Sequence, residues 1–192
     1  MDTPSTTGDD DAVPTYIALL RAVNVGGRFY KMADLRSHLT DSGLQDVETH
    51  IQTGNVRFRT PRRSAVKVEQ HVEAVLGEHC GFDVPTIVFT PAELREVYDD
   101  AQALTFQGGA EGVRRYVSFF KAGAAPTGET AERIAAWDEP GESAVVVGRA
   151  AHIWIDTPMH EARFFNAFKK ALAPGTNRDI KVVTTLAEKW GG

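Results

Sequence analysis

The sequence predicts an α+β chain made of two successive βαββαβ units, each folded around its own antiparallel sheet. Three observations carry that prediction. Short apolar runs of strand length alternate with apolar stripes at helical spacing. The element order of the first hundred residues returns in the remainder, although the residues themselves differ. A glycine-dense segment, Gly108-Gly109-Ala110-Glu111-Gly112, separates the two passes.

In the first pass, Tyr16 to Val23 is a continuous apolar run ending at a glycine-containing turn, the pattern of a central strand. Met32, Leu35 and Leu39 recur at helical spacing, and Gly43 supplies the stop. Val47 to Gln52 and Val56 to Thr60 read as a hairpin around Gly54-Asn55. Val68, Val72, Val75 and Leu76 stripe a second helix that ends near Gly81. Asp83 to Thr90 is the fourth strand, and Pro85 restricts it to a sheet edge or places the proline at its start. This order is that of the split-βαβ or ferredoxin-like unit. Thr90-Pro91-Ala92-Glu93 then has the form of a capping box opening a helix through Leu94, Val97, Tyr98 and Ala101.

The second pass predicts a strand over Tyr116 to Lys121 and a short helix over Glu129 to Trp137. A hairpin over Ala144 to Val147 and Ala151 to Asp156 follows, then a helix over Glu161 to Leu172. Ile180 to Val183 reads as a short strand, and Thr184-Thr185 as the start of a terminal helix. The expected organisation is a disordered tail over residues 1–14, a first unit with its linking helix over 15–104, a linker over 105–113, and a smaller second unit with a C-terminal helix over 114–192. Asp9-Asp10-Asp11 lacks the flanking ligands of a calcium loop and reads as solvated tail.

At 192 residues the chain suits one medium domain or two small ones. Hydrophobic content of 42% against 24% charged residues is enough to bury a core. A net charge of −5 weighs against duplex nucleic-acid binding, which needs clustered positive charge. Cys80 is the single cysteine and has no disulfide partner within the chain. No apolar run approaches the ~20 residues of a membrane span, and no signal-peptide pattern opens the sequence, so a cytoplasmic protein is expected.

Two polar stretches stand out. Arg21-Ala22-Val23-Asn24-Val25-Gly26-Gly27 leaves the first strand, and Ile51-Gln52-Thr53-Gly54-Asn55-Val56 joins the second and third. In a βαββαβ sheet both loops fall at one edge. Arg21, Asn24, Gln52, Thr53 and Asn55 are expected to cluster there, with Lys31 one turn into the adjoining helix. Gly26 and Gly27 are expected to expose backbone N–H groups at that helix's N-terminus, a setting that favours an anion. Taken singly, each stretch also reads as an ordinary turn in which Arg21 and Asn24 cap backbone groups. Their convergence makes ligand binding an equal reading.

The runs Tyr16 to Gly27 and Ile51 to Val56 resemble the two signature segments of the bacterial domain of unknown function 1697 family. Met32-Ala33-Asp34-Leu35 and Gly81-Phe82-Asp83-Val84-Pro85 resemble it at matching places. The resemblance implies a tandem ferredoxin-like fold and brings no established activity. Ala22 stands where the family usually has Gly, and Thr53 where it usually has Ser. The family's C-terminal Arg-Asn-Trp-Asn-Thr-Val stands here as Arg178-Asp179-Ile180-Lys181-Val182-Val183, a departure that leaves the second half without an implied site residue.

Other chemistry is poorly represented. There is no P-loop, dinucleotide fingerprint or nucleophile elbow. His160-Glu161 begins like a zincin motif, but Phe164 occupies the place of the second histidine. No histidine pair has ligand spacing, so neither a metal nor a cofactor is expected. Cys80 reads as a core or boundary residue, and Phe164, Phe165 and Phe168 as core between helix and sheet. His152, Trp154 and Asp156 share one strand face, which reads as solvated. The third strand lacks the aromatic pattern of an RRM, while Arg57, Arg59, Arg62 and Arg63 form a basic strip. The leading functional expectation is a module binding a small anionic ligand, a nucleotide or phosphorylated metabolite, at the first unit's loop edge. The alternatives are single-stranded nucleic acid on the arginine strip, and an enzyme using the same pocket with no base or nucleophile identifiable.

Overall fold

A computed structural model describes residues 13–106 and 112–192. The expected tail, apart from its last two residues, and the central part of the expected linker therefore lie outside the described residues.

The first half contains β1 (Thr15–Leu20), α1 (Met32–Asp41), β2 (Gln45–His50), β3 (Asn55–Arg59), α2 (Ala65–Cys80), β4 (Thr86–Phe89) and α3 (Pro91–Ala103). The second contains β5 (Arg114–Phe119), α4 (Gly128–Ala135), β6 (Glu142–Val147), β7 (Ala150–Ile155), α5 (Arg163–Ala167), α6 (Lys169–Leu172), β8 (Thr176–Asp179) and α7 (Ile180–Trp190). They form two four-stranded antiparallel sheets, ordered β2-β3-β1-β4 and β6-β7-β5-β8. The protein is thus a mixed α+β structure.

β1 explains its own composition. Tyr16, Ala18 and Leu20 point into a core with Leu35, Leu39, Val72 and Leu76 of α1 and α2. Ile17 and Leu19, on the opposite face, join Ile87 and Phe89 against Val117, Phe119 and Ala150 of the second sheet. A strand buried on both faces has no solvent side to keep polar, so its sequence reads as an unbroken apolar run. Leu94 of α3 and Val183, Leu186 and Trp190 of α7 complete this shared core, in which the Phe89 and Phe119 rings meet edge to face at 5.3 Å. A third core, around Phe120, Ile134, Ile153, Phe164 and Phe168, lies under the remaining helices.

The outer edge of β4, which pairs with no further strand among the described residues, is closed by carboxylates. The N–H groups of Thr86, Val88 and Thr90 donate to Glu73 (2.8 Å), Glu69 (3.1 Å) and Glu93 (2.7 Å). Burial pushes the Glu69 carboxyl up, against the pull of its Val88 hydrogen bond and of Lys121. Lys121 bonds Glu73 at 2.6 Å, and Arg149 reaches both Glu93 and the Val88 carbonyl. These two cations from the second half turn an unpaired strand edge into a polar seam.

Several elements differ from their sequence expectations. The first hairpin turns through Ile51–Gly54, with Ile51 (φ 51°) and Gly54 (φ 76°) left-handed, while Asn55 stays in the ladder opposite Leu19 and His50. The helix expected over 161–172 is broken into α5 and α6 at Phe168 (φ −105°), whose ring packs against Trp137 and Phe164. The strand expected at Ile180–Val183 is the first turn of α7, and the strand lies at Thr176–Asp179 instead. Asp179 caps that helix by accepting from the Lys181 N–H, and Val183, Leu186, Ala187 and Trp190 line its buried face. A β-branched run resembled a strand because its apolar residues also fit helical spacing. His152 and Trp154 are buried, contrary to the expected solvated face, and His152 is only 2% exposed. The Arg115 guanidinium lies over Trp154 and bonds the Ala101 carbonyl at the end of α3. Burial lowers the His152 pKa to about 4, so the ring is neutral at pH 7.

Candidate functional site

The two polar loops meet. The Asn24 amide donates to the Gln52 carbonyl at 2.8 Å, joining the loop after β1 to the β2–β3 turn. It also bonds the Tyr30 carbonyl and accepts from the Tyr30 N–H, which fixes the path of residues 24–30. Asn24 adopts φ 57°, a left-handed conformation that Asn tolerates better than most residues. Gly26 and Gly27 are exposed, at φ 60° and 83°, and Val25 to Arg28 closes as a turn.

Lys31 is the residue that caps α1, not one turn inside it. Gly26 and Gly27 therefore lie in a turn upstream of the helix rather than at its N-terminus, and their N–H groups do not belong to the helix dipole. The intervening Arg28-Phe29-Tyr30 carries the chain down to the core, where Tyr30 is buried. Its hydroxyl bonds His38 Nδ1, and His38 stacks on His79 at 3.8 Å between ring centroids. Asn24, Lys31 and Gln52 line a depression of about 330 Å³ on this side of the loops.

Arg21 and Thr53 face the other side. With Val23 and Val25 they form one wall of a cleft of about 520 Å³, whose opposite wall comes from the second half through Phe165, Lys169, Leu172 and Thr176–Arg178. Sequence reasoning missed that second wall. Its anchor is Arg178 on β8, which crosses to the first-half loops. Arg178 Nε donates to Asn55 Oδ1 at 2.6 Å, and Nη2 to the carbonyls of Leu20 (2.9 Å), Thr53 (3.1 Å) and Gly54 (3.3 Å). Nη1 donates to the Thr176 hydroxyl and the Asn177 carbonyl. The signal that could have found it was the arginine itself, which keeps the first position of the family's C-terminal segment.

Every one of those acceptors is uncharged. Arg178 is 7% exposed, no carboxylate among the described residues pairs with it, and desolvation lowers its pKa to about 10. At neutral pH it is a buried cation compensated only by dipoles. Among the described residues Arg21 and Lys169 also have no ion-pair partner, and no acidic one lines the cleft. Beside them, Ser118 Oγ and Asn177 Oδ1, opposite each other across β5 and β8, are buried without a hydrogen-bond partner. The arrangement suits a polar, negatively charged guest held against the apolar surface of Phe165 and Leu172.

Of the expected site residues, the structure therefore places Arg21 and Thr53 in the cleft, and Asn24, Lys31 and Gln52 on the neighbouring depression. Gly26 and Gly27 lie at the loop tip. Asn55 is fully buried and spends its amide on His50, Thr53 and Arg178, so it positions the arginine instead of facing solvent. The basic strip is neutralised in part. Arg57 pairs with Glu48 at 3.2 Å and Arg59 with Asp46 at 3.1 Å across the β2–β3 ladder. Val56 and Phe58 point into the core, not outward as base-stacking residues would. No cluster of three or more metal-ligating side chains occurs among the described residues, and no helix there is long and apolar enough to cross a membrane.

Ala22 sits in the wall of the cleft at φ 56°. A Cβ in that region is strained by ~1–2 kcal/mol, partly offset by the greater unfolded-state freedom of glycine. Ala22→Gly is expected to raise stability by about 0.5–1 kcal/mol, visible as a small increase in Tm. A lower Tm would show that the methyl group's packing outweighs its strain.

Three comparisons with known proteins bear on this geometry. The chain is similar to a solved structure, the conserved bacterial protein SP0830 from Streptococcus pneumoniae, at 19% identity and a TM-score of 0.69. That likeness covers 94% of this chain and 100% of the other, and it speaks to the fold. No curated protein matches. A family model described as protein of unknown function DUF1697 matches residues 13–152, and the chain belongs to that family.

Proposed function

We propose that this member of the DUF1697 family is a cytosolic binding module for a small anionic ligand, a nucleotide or phosphorylated metabolite. We place the ligand in the cleft between the first-half loops and β8. In this reading the two sheets are tandem ferredoxin-like units joined through residues 105–113, and their union creates the site.

The observation that carries the proposal is Arg178, a buried guanidinium with only neutral acceptors, beside a cleft that also holds Arg21 and Lys169 and no carboxylate. In a medium of lowered dielectric an uncompensated cation attracts an anion more strongly than it would in water. The five N–H groups of Arg178 are already engaged, so it contributes field, while Arg21, Lys169 and the Thr53 hydroxyl supply contacts. Val23, Phe165 and Leu172 offer an apolar surface for a base or carbon skeleton. Asn24 and Gln52 hold the two loops together, while Gly26 and Gly27 lie at the loop tip and Lys31 on the neighbouring depression.

Thermal unfolding with pyrophosphate and the nucleoside monophosphates tests this directly. A ligand that prefers the folded state raises Tm as its concentration passes Kd. At least one of these anions is expected to do so, and the increase should vanish in Arg21→Ala/Lys169→Ala. The proposal fails if none of them shifts Tm at low salt, or if the double variant keeps the full shift.

A further inference from the structure

Behind α6 lies a second basic hollow of about 650 Å³, lined by Arg133 of α4, Asn166 of α5, and Lys169 and Lys170 of α6. Lys169 belongs to both this hollow and the cleft. Among the described residues no carboxylate lines the hollow, and Arg133, Lys169 and Lys170 form no ion pair. In a chain of net charge −5, three cations thus share one hollow with no acid lining it. Aromatic carbon accompanies it. Phe165 borders the cleft, and the Arg133 guanidinium lies over the Phe168 ring at 5.9 Å.

Resting on the reading of the cleft as an anion site, we infer that the two hollows form one track for single-stranded nucleic acid at least two nucleotides long. One nucleotide occupies the cleft, with its phosphate near Arg21 and its base against Phe165. The strand then passes Lys169, and the next phosphate enters the hollow between Arg133 and Lys170. A cationic groove with an aromatic face for a base is how sequence-tolerant single-strand binders engage backbone and bases, and Phe165 is the ring that borders this one, Phe168 being buried. The arginine strip on β3 plays no part in this track, since cross-strand acids occupy Arg57 and Arg59.

Binding of thymidine monophosphate and of a four-nucleotide oligothymidylate, compared at low salt by fluorescence competition, separates the two levels. The tetranucleotide is expected to bind at least about tenfold tighter, with affinity falling as salt rises. Arg133→Ala/Lys170→Ala, both at exposed positions, should remove most of that gain and leave monophosphate binding unchanged. A tetranucleotide no tighter than the monophosphate would overturn the track and leave the cleft reading intact. The track also falls if the gain survives the double variant, or if tripolyphosphate competes as well as the tetranucleotide. If neither nucleotide probe binds, the track falls, and the cleft reading is decided by pyrophosphate and the other monophosphates.

Discussion

Arg178→Met is expected to lower the free energy of unfolding by about 3 kcal/mol, one of the two largest effects foreseen for any single substitution here. Methionine matches the arginine stem as far as Nε, so the packing of the stem is kept and only the place of the guanidinium head is emptied. What disappears is a set of donors. The carbonyls of Leu20, Thr53 and Gly54 and the Asn55 side-chain oxygen lose a shared partner in a place closed to water. Leaving a buried acceptor unsatisfied costs ~1–3 kcal/mol each where no water enters. Against this stands relief from burying a guanidinium that no acid balances, which is why the net is put well below the sum. Urea unfolding should show a lower midpoint with an unchanged slope. Arg178→Lys keeps the charge but loses the planar fork, and should fall between wild type and Arg178→Met. A loss under ~1 kcal/mol for Arg178→Met would mean that relief from burying the unbalanced charge cancels the lost hydrogen bonds, and that Arg178 is not what holds the two walls of the cleft together.

Much of this framework was readable from local rules. The Thr90–Glu93 capping box forms as its residues require, with Thr90 and Glu93 each accepting from the other's N–H. Gly81 ends α2 in the left-handed conformation, and Pro85 precedes the edge strand β4. The bond from Asn24 to Gln52 follows from element order and loop composition together. What local pattern missed was set by contacts distant in sequence. His152 alternates like a surface residue, yet its face is covered by an element that period-two reasoning does not see. Residues 180–183 have strand propensity, but the Asp179 cap and burial of Val183 with Leu186 select a helix. Arg178 makes its partners more than 120 residues away, at Asn55, Thr53 and Gly54. No spacing along the chain announces such a contact, so the sequence placed the wall that carries Arg21 and left out the wall that carries Lys169 and Arg178.

Gly54→Ala should produce a loss of comparable size, about 2–4 kcal/mol, for a different reason. Gly54 has φ 76°, where an alanine carries strain of ~1–2 kcal/mol. The strain alone would be tolerable. A Cβ at this position, however, would lie 2.7 Å from the Leu20 Cβ, an atom fixed to the β1 backbone that no rotamer change can move. The strands cannot part either, because the Leu20 N–H donates to the Gly54 carbonyl at 2.7 Å and the Leu20 side chain is fully buried. Relief must come from lifting the turn off β1, which stretches that bond and the one from Arg178 to the same carbonyl. Gly26→Ala is the matched control. Its φ is also positive, but the space around an added Cβ is open, so only strain of about 1 kcal/mol is expected there. Chemical unfolding of the two variants side by side isolates the steric contribution as their difference. Equal losses would show that the turn yields freely, and the close contact between turn and β1 would then not be what holds the first wall of the cleft. If the gap is found, Gly54→Ala should also weaken anion binding more than Gly26→Ala, because the displaced turn carries Thr53 and loosens the carbonyls that hold Arg178.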